Sequence, residues 1–183
     1  KGATNRNVVA EGALAAMKKA DPAPFMTEAA AARVTVGNIE DDLDQLAPCD
    51  WIVEAVIEEI GAKRRLYADL ERVMKPGVII SSNTSTMPLR LLVEGRTEDF
   101  RRGFLITHFF NPPRYMRLLE IVGGPKTRKE AVAAMEAFAD VRLGKGVIHC
   151  KDTPGFVANR IGTMWIQAAL NAAMDHGLTV EEA

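Results

Sequence analysis

The sequence predicts an α/β protein, in which a mostly parallel β-sheet carries helices on both faces. Continuous apolar runs alternate with segments of helical periodicity, the pattern that repeated strand and helix units produce. The run "WIVEAV" at residues 51–56 is broken only by Glu54, as expected of a strand buried on both faces of a sheet. An apolar content of 48% over 183 residues is enough to fill the core of such a domain.

The individual elements follow from this periodicity and from the residues that interrupt it. Helices are predicted at residues 7–19, 27–32, 59–74, 87–94, 127–142 and 153–177. Strands are predicted at residues 33–37, 51–56, 78–83, 104–110, 117–124 and 146–150. The connection between the fourth and fifth of these strands is short. Because a parallel crossover needs about a dozen residues or more, we expect those two strands to be antiparallel neighbours.

Composition and charge exclude several classes of function. A net charge of -1 with interspersed charges suggests neither a nucleic-acid partner nor a membrane surface. No apolar run reaches the roughly 18 residues that a membrane helix needs, and the N-terminus lacks a secretory pattern. Cys49 and Cys150 are too few for a disulfide framework, and no Cys and His spacing suits a metal. We expect a soluble, cytoplasmic protein without a metal centre.

Polar residues follow three of the predicted strands. Glu58, the cluster at residues 81–85 and His108 each stand where a strand ends, and active groups of α/β sheets lie at the carboxyl ends of strands. A neutral histidine suits proton transfer, and a carboxylate such as that of Glu120 can fix its tautomer. From the residues alone two interpretations stay open: a proton-transfer pair, or a buried core histidine and a strand-end glutamate.

A dinucleotide-binding turn is not visible in the sequence. The fourteen glycines include no GxGxxG, and the chain opens directly on a predicted helix. Composition and periodicity therefore lead no further than an α/β domain with polar clusters at strand ends.

Four motifs in register carry a resemblance to a known family. They are "DWIVEAVIEEIGAKRRLYADLE" (50–71), "SSNTST" (81–86), "THFFNPPRYMRLLE" (107–120) and "CKDTPGFVANRIG" (150–162). With these motifs the chain closely resembles the 3-hydroxyacyl-CoA dehydrogenase family over about residues 33–160, and especially its long bacterial, multi-domain members.

The resemblance implies a domain organisation, a cofactor and partners. It implies a Rossmann-like NAD-binding domain at residues 1–152 that lacks its first βα unit. The start of a C-terminal helical domain for substrate binding and dimerisation would follow at residues 153–183. The implied cofactor is NAD and the implied substrate an acyl-CoA. A homodimer through the helical domain and fusion to an enoyl-CoA hydratase domain are further expectations.

The resemblance also assigns roles to single residues. His108 and Glu120 match the catalytic base and its partner, and Ser85 and Asn159 match residues that hold the substrate. The implied cofactor contacts are Glu58, Lys63, Asn83, Ser85 and Asn111. Each group has a structural alternative, since Ser and Asn suit turns and caps, and charged residues suit a solvated helix start.

The implied activity is NAD-dependent oxidation of (3S)-3-hydroxyacyl-CoA to 3-oxoacyl-CoA in fatty-acid β-oxidation. Two alternatives stay open. One is a related dehydrogenase that acts on hydroxybutyryl-CoA or on a 3-hydroxy acid without CoA. The other is a non-catalytic or truncated module that cannot hold the cofactor by itself, because backbone N–H groups of the absent GxGxxG turn would bind the pyrophosphate. The 183-residue chain alone is therefore expected to be inactive.

Overall fold

The computed structural model describes residues 5–182 and contains a five-stranded sheet whose strands lie side by side in chain order. The strands are β1 (Trp51–Glu54), β2 (Ile79–Ser82), β3 (Phe104–Phe109), β4 (Leu118–Gly123) and β5 (Gly146–His149). All neighbouring pairs are parallel except β3 with β4, which are antiparallel. The mostly parallel sheet and the antiparallel pairing across residues 110–117 are both confirmed. Residues 1–4 and 183, at the ends of the two predicted domains, lie outside the described residues.

The helices connect the strands and differ in detail from the predicted ones. They are α1 (Val8–Met17), α2 (Glu28–Ala31), α3 (Ile60–Val73), α4 (Leu89–Leu92), α5 (Glu98–Gly103), α6 (Lys129–Leu143) and α7 (Ala158–Asp175). Sequence reasoning missed α5, although its start carries a capping signal. Thr97 accepts a hydrogen bond from the N–H of Phe100, and two acidic residues follow in the first turn.

The strand predicted at residues 33–37 is wrong. The alternation of "RVTVG" resembles a strand, but within residues 5–182 this segment pairs with no neighbour. A strand is stabilised by its cross-strand contacts, so alternation without a partner is not enough. Residues 34–38 have no regular structure, and a turn follows them, in which the Asp42 carboxylate accepts hydrogen bonds from the backbone N–H and the side-chain amide of Asn38 at 3.0 and 3.2 Å.

Side chains alternate along the strands and divide the core between the two faces of the sheet. One face buries Ile52, Ile80, Phe104, Ile106 and Val122 against α3, α4 and α5. The other buries Leu105, Leu119 and Ile121 against α6. Helices on both faces are therefore confirmed. By the same alternation His108 and Glu120 lie on the α3 side of the sheet, next to Ile106 and Val122.

α7 contacts the rest of the chain through its start and buries none of its own residues. Large apolar side chains are exposed along it, among them Met164 at 67% and Trp165 at 70%. A contiguous apolar helix face of this kind is typical of a surface that packs against protein. Even so, none of the helices at residues 5–182 is long and apolar enough to cross a membrane.

Candidate active site

The carboxyl ends of β1, β2 and β3 are joined by hydrogen bonds. Asn83, directly after β2, accepts from the N–H of Phe109 in β3 at 2.9 Å through Oδ1. Its own N–H donates to the carbonyl of Glu54 in β1 at 2.8 Å. The hydroxyl of Thr84 donates to Glu58, which lies beyond the end of β1. The polar clusters that follow these strands therefore lie along one edge of the sheet.

His108 and Glu120 face each other across the β3–β4 pair. They are direct register partners, and His108 Nδ1 lies 2.6 Å from Glu120 Oε2. Glu120 is fully buried and His108 is 6% exposed. The antiparallel pairing of β3 and β4 thus brings into contact two residues that are twelve positions apart in the sequence.

The second oxygen of Glu120 binds the start of α7. Oε1 accepts from the N–H groups of Val157 and Ala158 at 3.0 and 2.8 Å. Gly155 and Phe156 have left-handed φ values of 72° and 44°, and this turn precedes the helix. The left-handed region is unfavourable for a residue with a Cβ by about 1 kcal/mol, so the contacts around Phe156 must hold it there. The helix predicted from residue 153 therefore begins at Ala158.

These contacts determine the charge state of Glu120. Burial raises the pKa of the Glu120 carboxyl, but hydrogen bonds from His108 and from the N–H groups of Ala158 and Val157 outweigh it, and the pKa lies below its ordinary value. An ionised carboxylate can only accept, so Nδ1 of His108 carries a hydrogen. In the neutral ring Nε2 then has a free lone pair. This arrangement allows His108 to take up a proton.

Apolar groups surround the pair. The rings of Phe110 and Phe156 have centroids 4.6 and 5.8 Å from that of His108. A low local dielectric strengthens the bond between the imidazole and the carboxylate. Cys150 follows β5 beside the pair, and burial together with the negative charge of Glu120 raises its pKa to about 11. At neutral pH this side chain is therefore a thiol and a poor nucleophile.

The turn between β3 and β4 is fixed by a buried lysine. Lys145 is 5% exposed, and its Nζ donates to the carbonyls of Pro113 and of Met116, the latter at 2.8 Å. Asn111 lies exposed in the same turn, and its side chain makes no hydrogen bond to another described residue. Its contact with a cofactor stays a prediction.

Lys63 does not face solvent. Its side chain is 1% exposed, and its Nζ lies 2.7 Å from Glu54 Oε1 and 3.1 Å from Glu58 Oε2. Direct contact between Lys63 and a cofactor therefore stays a prediction too. Sequence reasoning missed Glu54 as a site residue. The signal was present, since Glu54 is the one carboxylate within an otherwise apolar strand.

The side chains at this edge have the hydrogen-bonding groups that the predicted contact with the nicotinamide-side ribose of NAD needs. The Glu58 side chain is 39% exposed. Partial burial raises the pKa of Glu58, but hydrogen bonds from Thr84 and Lys63 outweigh it and the pKa is lowered, so an ionised carboxylate is available to accept from ribose hydroxyls. The Asn83 amide keeps its Nδ2 group for a further partner. For the pyrophosphate, by contrast, residues 5–182 contain no GxGxxG turn between a strand and a helix, since Gly123, the last residue of β4, and Gly124 before α6 lack that spacing.

An open cleft of about 690 Å³ separates the loop after β2 from α7. Asn159 lines it from the first turn of α7, and Thr86, next to the half-buried Ser85, lines it from the loop. Gly155 also borders the cleft, and its neighbour Phe156 packs against His108. Of the two residues predicted to hold substrate, Asn159 therefore lines the cleft, and Ser85 is the chain neighbour of the lining residue Thr86.

Replacing Glu120 by Gln should lower the free energy of unfolding at neutral pH by about 2–4 kcal/mol, because three donors lose a buried, charged acceptor. The folded-state pKa of Glu120 is lowered, so the unfolded state binds more protons in acid. The wild type therefore loses this contribution as the pH falls through the ordinary value of 4.5 and below it. Denaturant unfolding at a series of pH values measures this. The difference in free energy of unfolding between the wild type and the Glu120→Gln variant should become smaller as the pH is lowered.

The matched control is Glu136→Gln. Glu136 also lies beside a histidine, with Oε2 3.1 Å from His149 Nε2, but both side chains are about half exposed. The control should change the free energy of unfolding by less than about 0.5 kcal/mol at any pH. A Glu120→Gln effect that is equally large in acid and at neutral pH would contradict the assignment of an ionised, buried carboxylate.

Comparison with known proteins identifies the family of the chain. A model of the family described as "3-hydroxyacyl-CoA dehydrogenase, NAD binding domain" matches residues 3–153. A probable 3-hydroxyacyl-CoA dehydrogenase of Deinococcus radiodurans is 47% identical over 97% of this chain and 51% of that protein. A putative fatty acid oxidation complex trifunctional enzyme of Rickettsia felis is 35% identical over 97% of this chain and 25% of that protein. The chain thus spans about half the length of the first relative and a quarter of the second.

A solved structure gives the same result for the fold. The (S)-3-hydroxybutyryl-CoA dehydrogenase of Ralstonia eutropha matches with a TM-score of 0.73 and 30% identity, over 96% of this chain and 60% of that one. The Rossmann-like fold class is therefore confirmed. Together, the family match, the relatives and the sheet establish that this chain belongs to the family of the 3-hydroxyacyl-CoA dehydrogenase NAD-binding domain.

Proposed function

We propose that the protein containing this chain oxidises (3S)-3-hydroxyacyl-CoA to 3-oxoacyl-CoA with NAD, and that His108 is the catalytic base. The observation that carries the proposal is the buried pair of His108 and Glu120, with 2.6 Å between Nδ1 and Oε2. Its environment supports the role, because a carboxylate whose second oxygen is held by α7 keeps the imidazole in one orientation.

Oxidation of a secondary alcohol removes a hydride from carbon and a proton from oxygen. NAD, when bound, supplies the hydride acceptor. His108 Nε2 takes the hydroxyl proton, and the ionised Glu120 stabilises the imidazolium that results. Ser85 donates a hydrogen bond to the substrate oxygen, and Asn159, in the first turn of α7, orients the substrate carbonyl. Glu58, Asn83 and Asn111 bind the cofactor at the strand ends.

The wider assignment rests on the relatives and on α7. The name of the Rickettsia felis relative, a fatty acid oxidation complex trifunctional enzyme, supports a role in fatty-acid oxidation and fusion to further catalytic domains. That one of these is an enoyl-CoA hydratase stays a prediction. The exposed apolar face of α7 supports a helical domain that starts at residue 153 and carries a dimer contact. That residues 1–152 lack a first βα unit stays a prediction.

One observation favours a second candidate, a module that cannot hold the cofactor by itself. Residues 5–182 contain no GxGxxG turn to bind the pyrophosphate. Turnover by the full-length protein distinguishes the two functions. Oxidation of NADH with acetoacetyl-CoA supports the dehydrogenase, and a folded, inactive full-length protein supports the module.

Replacing His108 by Gln in the full-length protein should reduce kcat at least about 100-fold, because the proton acceptor is removed. The dissociation constant for NADH should stay unchanged, since His108 is not one of the residues proposed to bind the cofactor. Steady-state kinetics and NADH fluorescence titration measure the two quantities. His149→Gln is the control, because His149 lies exposed at the end of β5, with Nε2 3.1 Å from Glu136 Oε2. Undiminished turnover of the His108 variant would refute the base assignment.

Replacing Asn159 by Ala should lower kcat/KM for 3-hydroxybutyryl-CoA about tenfold, as expected for the loss of one oriented hydrogen bond to substrate. NADH affinity should not change. Asn171→Ala is a control on the same helix, because Asn171 is exposed and its side chain accepts from Gln167 at 2.9 Å. Equal kinetics for the two variants would show that Asn159 does not contact the substrate.

A further inference from the structure

Glu54, the last residue of β1, is a buried carboxylate to which the proposed mechanism assigns no role. Its side chain is 0% exposed, and the Lys63 ammonium beside it is 1% exposed. Two charges removed from water are tolerated only when their geometry is good and their other hydrogen-bonding positions are filled. The contacts of both groups are therefore informative.

Both oxygens of Glu54 are fully engaged. Oε1 accepts from Lys63 Nζ and from the N–H of Val56, each at 2.7 Å. Oε2 accepts from the hydroxyls of Tyr67 and Ser82, each at 2.6 Å. Four donors, one just beyond β1, one in β2 and two in α3, leave the carboxylate a single orientation. Helical spacing explains how α3 supplies two of them, since positions 63 and 67 are one turn apart on its buried face.

Two routes lead from Glu54 to the cofactor edge. Along the first, Lys63 Nζ also binds Glu58 Oε2 at 3.1 Å, and Glu58 Oε1 accepts from the hydroxyls of Thr84 and Thr86, the latter at 3.2 Å. Along the second, the Ser82 hydroxyl that donates to Glu54 accepts from the N–H of Thr84 at 3.2 Å. Both routes end in the loop at residues 83–86. This loop carries Asn83 and Ser85.

Stability alone does not require this arrangement. A buried ion pair can often be replaced by apolar groups of similar volume without loss of stability, whereas removal of one partner is strongly destabilising. A pair of charges on β1 and α3 therefore gives these elements little stability that packing could not supply. What it does provide is one fixed position for Glu58 and for the polar loop.

We propose that Glu54 is a positioning residue for the cofactor edge of the site. Through Lys63 it orients the Glu58 carboxylate, and through Ser82 it orients the loop at residues 83–86. Glu58 is then a group that meets the nicotinamide-side ribose, and Lys63 links it to Glu54. This inference rests on the proposed function, because NAD is the cofactor of that reaction.

The test is the paired variant Glu54→Gln with Lys63→Met in the full-length protein, which leaves neither charge buried without its partner. The dissociation constant for NADH should rise about tenfold, as for one lost hydrogen bond. The pKa of Glu58, followed by carboxyl ¹³C NMR, should rise, because burial remains while the Lys63 contact that lowers the pKa is gone. The hydroxyls of Thr84 and Thr86 remain on Glu58 in the variant.

A matched control is Glu71→Gln with Arg96→Met. This pair has 2.9 Å between Arg96 Nη1 and Glu71 Oε2 and exposures of 18% and 15%, and it has no hydrogen bond to the strand-end residues among those described. It should leave both the NADH dissociation constant and the pKa of Glu58 unchanged. A folded Glu54/Lys63 variant with wild-type values for both quantities would overturn the inference.

A variant without any charge change covers the case in which the paired variant does not fold. Ser82→Ala keeps the ion pair and removes only the route from Glu54 to Thr84, so NADH should bind several-fold more weakly. Unchanged binding by Ser82→Ala would overturn the inference in that case. A wild-type protein without turnover would overturn the proposed function instead, and the NMR titration of Glu58 would still decide whether Glu54 and Lys63 orient it.

Discussion

The Glu120 carboxylate is the interaction on which the catalytic half of the site depends. It binds the imidazole of His108 in β3 through one oxygen and the first N–H groups of α7 through the other. It is itself part of β4, so one buried group joins two strands and a helix. The antiparallel direction of β4 is a condition for this, because it places residue 120 opposite residue 108 on the same face of the sheet.

A second buried carboxylate organises the other half of the same edge. Glu54 joins β1, β2 and α3, as Glu120 joins β3, β4 and α7. Asn83 connects the two halves, since it donates to the carbonyl of Glu54 and accepts from Phe109. In the proposed function one half binds the cofactor and the other moves the proton. The spacing between the cofactor-binding half and the proton-transfer half is then set by the parallel pairing of β1, β2 and β3.

Much of the fold could be predicted because periodicity reports directly on burial. The buried strands, the helices on both faces and the antiparallel pair followed from apolar runs, helical spacing and a short connection. The wrong strand at residues 33–37 marks the limit of this reasoning, since alternation does not reveal whether a partner strand is near. The missed α5 is different, because its capping signal at Thr97 was readable in the sequence.

The candidate site was less predictable from residue types. The motifs named His108, Glu120 and the polar loop, but distances decide which groups touch. The sequence did not reveal that Lys63 turns inward to Glu54, although the spacing of Lys63 and Tyr67 on one helix face was a usable signal. The left-handed Phe156 could not be anticipated at all, because the residues that favour that conformation are Gly, Asn and Asp.

The most direct test of the central claim is the protonation of the His108 ring. If the ionised Glu120 holds the hydrogen of Nδ1, the neutral ring must leave Nε2 free to accept a proton. Imidazole ¹⁵N NMR of the protein, at a pH where the His108 ring is neutral, distinguishes the two tautomers. We expect the neutral His108 ring to carry its hydrogen on Nδ1 and none on Nε2. A neutral ring that carries its hydrogen on Nε2 would contradict it.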